Sequence, residues 1–189
     1  DAMNIEKVDF FGSHTGGRIG CELAGRFPDR VRRVVLDGIT EYDHELRKKI
    51  LENYAPAMRP DEFGSHLIWA FNFVRDQAFF FPYFMRDAEH ALTNPGRTRE
   101  HLHAHTVDVL KALTTYHKPY LAAFRYPARE RMRQIKVPTM VMAAESDPPH
   151  LIEGAKDMSA LSELAEMIVV GRSTKAKVTA ASEFFNRTQ

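Results

Sequence analysis

The residues of this chain best suited to chemistry are crowded into one run, Gly12-Ser13-His14-Thr15-Gly16. An imidazole titrates near neutral pH, so His14 can take a proton from water or from a substrate as a general base and return it as an acid. Histidine is also among the side chains that better tolerate positive φ, and glycines two places to either side suit a turn too tight for a Cβ on its neighbours. Ser13, beside it, is either a minor nucleophile or a hydrogen-bonding wall. A second cluster, His101-Leu102-His103-Ala104-His105, sets His101 and His105 one helical turn apart, which is half of a zinc site. The stripe Leu102, Thr106, Val109, Leu110 and Leu113 makes the same stretch an ordinary amphipathic helix with histidines at its margin, and no metal is assigned to it. Cys21 is the only cysteine, which excludes an internal disulfide and a cysteine-based metal cluster. No cofactor is called for.

A strand and a helix must aim these side chains. Val8 to Phe11 is a short apolar run bounded by Gly12, the pattern of a buried strand of about Lys7 to Phe11. After Gly17, the residues Ile19, Leu23, Ala24 and Phe27 fall on one helical face before Pro28 ends the run, and Val31 to Asp37 is β-branched and apolar up to Gly38. The order strand, sharp turn, helix, Pro-Asp-Arg turn and strand resembles the central segment of the α/β-hydrolase superfamily. The G-x-S-x-G nucleophile elbow of that family turns a strand into a helix around one exposed side chain. The likeness resumes at Lys136-Val137-Pro138, with a strand of about Thr139 to Ala143 leading to the acidic loop Glu145-Ser146-Asp147-Pro148. It implies an α/β fold built on a parallel α/β-hydrolase-like sheet, with hydrolase chemistry.

The resemblance also assigns roles. His14 stands where the family's serine stands, Asp147 matches the acid of the Ser-His-Asp triad, and the Thr15 backbone N–H takes the oxyanion position. Asp37, at the end of its strand, is the other place from which the fold supplies an acid, and Asp-Pro-Pro on its own is an ordinary turn former. The triad histidine is missing: no histidine follows His150, and the last strand, about Glu166 to Val170, runs into a final helix from about Thr174. One rearrangement is coherent. His14 paired with Asp147 activates water or abstracts a substrate proton, with Ser13 beside it, on a small apolar ester-like substrate. The competing reading is a degenerate triad in a non-catalytic protein that binds a ligand or a partner.

Three segments follow from this pattern: core at 1–39, a helical cap at 40–136 and core again at 137–189. Within the cap, helices are expected at about Tyr42 to Tyr54 and from about Pro60, followed by the aromatic run Phe79 to Met85, which is either a buried seam or the lining of an apolar pocket. The 189 residues are 44% hydrophobic and 27% charged with a formal charge of +1, and Arg129 to Lys136 alternates as an amphipathic helix, so no nucleic-acid partner is indicated. No run is long enough to span a membrane and no signal peptide opens the chain, which makes a cytoplasmic location the expectation. Asp1 to Glu6 resembles the tail of the helix that leads into the elbow strand. The family's earlier strands and oxyanion loop have no counterpart here, so the expectation is an N-terminally truncated chain; the alternative is a small fold that begins here. In the truncated case the elbow strand exposes an edge open to self-association.

Overall fold

The computed structural model describes residues 4–92 and 97–187, and the chain divides into two compact units, 1–41 with 126–189, and 42–125. The first unit is a four-stranded parallel sheet in the order β1 (Val8–Ser13), β2 (Val31–Asp37), β3 (Thr139–Ala144), β4 (Ala165–Val170). Ser13 pairs with Asp37, and Asp37 with Met142, so the carboxyl ends of β1, β2 and β3 lie in line. In open parallel sheets ligands bind at that end.

Helices cover both faces of this sheet. On one face α1 (Thr15–Arg26) packs with two later helices of this unit around Leu36, Val34, Val141 and Met158. The other face is met by the C-terminal helix (Thr174–Phe185), whose Ala180, Ala181 and Phe184 pack on Val35, Met140 and Met142. With both faces covered, β3 is wholly buried and β2 is buried at every position except Arg32, instead of alternating. β1 lies at the sheet edge and is only half-buried.

The second unit, Tyr42–Arg125, is helical: α2 (His44–Asn53), α3 (Ser65–Asp76), α4 (Arg99–Lys111) and α5 (His117–Arg125). Asp43 caps α2, its carboxylate accepting from the N–H groups of Glu45 and Leu46 at 3.0 Å, and Thr98 caps α4. The aromatic residues supply this unit's own core. Tyr54, Phe73, Tyr83 and Tyr116 are buried, with ring centroids 5.0 Å apart for Phe73–Tyr83 and 4.8 Å for Tyr54–Phe124. The expected helix from Pro60 begins only at Ser65, after a turn in which the Asp61 carboxylate accepts from the N–H groups of Phe63, Ser65 and His66.

Two further expectations are corrected. The helix expected over Arg129 to Lys136 is the shorter α6 (Ala128–Met132), and residues 126–136 belong to the first unit. The reason is burial: Ala128, Met132 and Ile135 lie in the same core as Leu36 and Val141. The helix tail expected at Asp1 to Glu6 is not formed where it can be seen, since Asn4 to Glu6 are irregular; residues 1–3 lie outside the described residues. The remaining helices of the sheet unit are α7 (Pro149–Ser159) and the C-terminal α8 (Thr174–Phe185).

Candidate active site

His14 is the residue on which the chain turns from β1 into α1. Its backbone adopts φ 50° and ψ −103°, a conformation that ordinarily costs a non-glycine residue about 1–3 kcal/mol and persists only when the surroundings fix it. Three contacts do so. The His14 N–H donates to the Asp37 carbonyl at 2.8 Å, the His14 carbonyl accepts from the Arg18 guanidinium at 3.2 Å, and Arg18 is held in turn by the Thr40 carbonyl at 3.0 Å. Gly12 completes the turn: a Cβ there would lie 2.2 Å from the Gly16 carbonyl oxygen. Gly16 has no such role, for nothing lies within 4 Å of a Cβ built on it, so the expectation of tightness on both sides holds only before the turn.

The imidazole lies over Gly38, at φ +69°, where a Cβ would come within 2.9 Å of the ring's Cε1 and Nδ1. Residue 14 is reached by solvent, yet the surrounding protein still shapes its titration. Burial holds the imidazole below its usual value; the Asp37 and Asp147 carboxylates push the other way, and Lys177 and Arg18 add to the lowering. The neutral, proton-accepting form is therefore the one favoured at neutral pH. At the first turn of α1 no side chain caps the free N–H groups, and those of Thr15, Gly16 and Gly17 have no acceptor among the described residues.

The expected partner, Asp147, sits in the loop after β3 and is near enough for its charge to be felt at His14, but no hydrogen bond joins the two side chains. Its carboxylate instead accepts the Ala144 N–H at 2.8 Å, while its own N–H donates to the Ala144 carbonyl at 2.9 Å, so that the turn after β3 is closed from both sides. Asp37 is the stronger of the two carboxylate influences. It is 3% exposed and fully engaged: Ser13 Oγ donates to Oδ2 at 2.9 Å, and Lys177 Nζ donates to both oxygens at 2.9 Å. Sequence reading missed Lys177 and Arg18. A lysine near the start of a helix, where the macrodipole favours acids, does not single out Lys177, because Lys175 stands there too.

The other candidates are elsewhere. His101 and His105 share a face of α4 as expected, their rings 4.1 Å apart, and among the described residues no group of three or more His, Cys, Asp or Glu is placed to hold a metal ion. Cys21 is fully buried in α1, and burial pushes its thiol up to about 11, which leaves it inert at neutral pH. No helix among the described residues is long and apolar enough to cross a membrane.

A parallel sheet with helices on both faces, and a strained residue between strand and helix at its carboxyl end, is the architecture of α/β hydrolases. The chain belongs to that family, whose model, described as the alpha/beta hydrolase fold, matches residues 1–172. Among solved structures it is similar to MenH from S. aureus, with a TM-score of 0.63 and 16% identity over 95% of this chain and 68% of that one. It is also similar to the meta-cleavage product hydrolase CumD from Pseudomonas fluorescens IP01, with a TM-score of 0.60 and 18% identity over 98% and 67% of the two chains. A 2-hydroxy-6-oxo-2,4-heptadienoate hydrolase of Pseudomonas putida is 44% identical over 46 residues, which are 24% of this chain and 17% of that protein's length. The match thus spans less than a fifth of that relative.

Proposed function

We propose that the chain carries the site of a hydrolase acting on a small apolar substrate with an ester-like or related activated carbonyl, and that His14 is its general base. The observation that carries this reading is the placement of His14. A neutral imidazole stands at the strained turn from β1 to α1, one residue before the free Thr15 N–H, at the carboxyl end of the sheet. In such a site the imidazole takes a proton from water, and the water oxygen attacks the carbonyl carbon. The charge that develops on the carbonyl oxygen is met by the Thr15 N–H. The imidazolium formed is favoured by the Asp37 and Asp147 charges, which act across space without a hydrogen bond to the ring. Ser13 serves as a wall, its hydroxyl committed to Asp37. The relative from P. putida is named for a dienoate with a keto group, which fits a carbonyl on a short carbon chain as the substrate class.

Hydrolysis of a panel of short-chain p-nitrophenyl esters tests the reading. His14→Ala should lower kcat/KM by roughly 10²-fold or more, the size of a general-base contribution, while Ser13→Ala costs less than about tenfold. The acidic limb of kcat/KM should fall below the ordinary histidine value of 6.5. Activity that survives His14→Ala unchanged would remove His14 as the base, and no activity against the whole panel would favour the non-catalytic reading, which the missing hydrogen bond between His14 and Asp147 supports.

A further inference from the structure

We propose that Lys177 is a positioning residue of the His14 site, fixing the Asp37 carboxylate from α8 and thereby both the main-chain anchor and the local charge that His14 experiences. The inference rests on the reading of His14 as the base.

The chain of contacts is short and continuous. Lys177 Nζ is 2.9 Å from both Asp37 carboxylate oxygens, Ser13 Oγ is 2.9 Å from one of them, and the Asp37 carbonyl accepts the His14 N–H at 2.8 Å. A buried carboxylate needs its charge compensated, and among the described residues Lys177 is the cation that pairs with Asp37. With three acceptor sites of Asp37 taken by Lys177 and Ser13, the carboxylate is not turned onto the imidazole. It influences the ring only as a charge, and that charge is already partly cancelled.

Four charged groups bear on the His14 ring: Asp37 from the end of β2, Asp147 from the loop after β3, Lys177 from α8 and Arg18 from α1. Burial is what chiefly keeps the imidazole neutral, and the two cations add to it by offsetting part of the carboxylates' opposing influence. Without Lys177, Asp37 stands uncompensated beside the turn, and the imidazolium gains at the expense of the base.

NMR titration of the His14 Cε1–H, assigned by its loss in His14→Asn, provides a readout independent of turnover. Lys177→Met should raise the His14 midpoint, since it removes a cation that lowers it. The acidic limb of ester hydrolysis should move with it. Lys177→Arg keeps the charge and should stay within about 0.2 unit of the parent. Because Lys177→Met leaves a buried carboxylate unpaired and could fail to fold, the double variant Asp37→Asn, Lys177→Met is measured as well. It removes the larger, proton-favouring influence together with the smaller opposing one, so its midpoint should fall below that of the parent. A cooperatively folded Lys177→Met protein whose midpoint does not move, or a double variant that matches the parent, overturns the proposal. Midpoints that shift as stated in a protein that hydrolyses no ester support the role of Lys177 and overturn the catalytic reading alone.

Discussion

His14 and His150 share a property with a consequence for stability: burial is the first cause of a lowered imidazole value in each. In the unfolded chain both titrate near 6.5, so below that value the unfolded state binds more protons than the folded one. Their share of stability is complete above the ordinary histidine range and is lost as pH falls through it. The melting temperature should therefore decline from about pH 7.5 to about pH 5.5, and replacing both by asparagine should flatten that slope. Calorimetry at constant ionic strength checks this, and an unaltered slope in the double variant would refute it. The lowered carboxylates act in a separate window. Asp61, held at about 2 by the backbone N–H of Ser65, gives up its contribution only as pH falls below the ordinary carboxylate value.

At the scale of elements, the turn from β1 to α1 depends on one glycine far more than on the other. A methyl at Gly12 meets main-chain atoms of Gly16 and Gly17, which no side-chain rotation relieves, whereas a methyl at Gly16 meets open space inside a helix. Gly12→Ala should cost on the order of 3 kcal/mol, lowering Tm by roughly 6–12 °C in a chain of this size. Gly16→Ala should be neutral or stabilising by about 0.5–1 kcal/mol, because alanine restricts the unfolded chain. Thermal melts of the two variants separate these outcomes, and equal losses would contradict the geometry. The difference also marks how far sequence could be read. Periodicity places β2 at Val31–Asp37 and starts α8 at Thr174, as observed, because burial on both sheet faces and a Ser173 cap act locally. β1 runs on to Ser13 because that residue pairs across the ladder with Asp37, a partner 24 positions away. The placing of His14 at the end of β1 and of Asp37 at the end of β2 was legible from the apolar runs and the glycines that stop them. The link from Lys177 to Asp37 was not, since it joins residues 140 positions apart that only the packed sheet brings together.

For the whole chain, the sheet unit is covered unevenly. Among the described residues of this unit, helices α1, α6 and α7 pack on one face and α8 on the other, and β1 is hydrogen-bonded only to β2. Phe11 on β1 is 42% exposed and Val178 on α8 is 61% exposed; with Phe185 they line an open groove of about 380 Å³ beside the free edge of β1. A strand edge with unpaired N–H and C=O groups next to exposed apolar side chains is a template for another strand. Residues 1–189 produced alone should therefore self-associate in a concentration-dependent way, with sedimentation velocity showing species larger than 21.6 kDa at micromolar concentrations. Phe11→Lys should shift the distribution toward monomer by placing a charge beside the edge, as natural edge strands do. Val169→Lys, at an exposed position on the opposite edge strand β4, should leave association unchanged. A monodisperse monomer at all concentrations would contradict the expectation. Association abolished by Val169→Lys and untouched by Phe11→Lys would move the interface from β1 to β4.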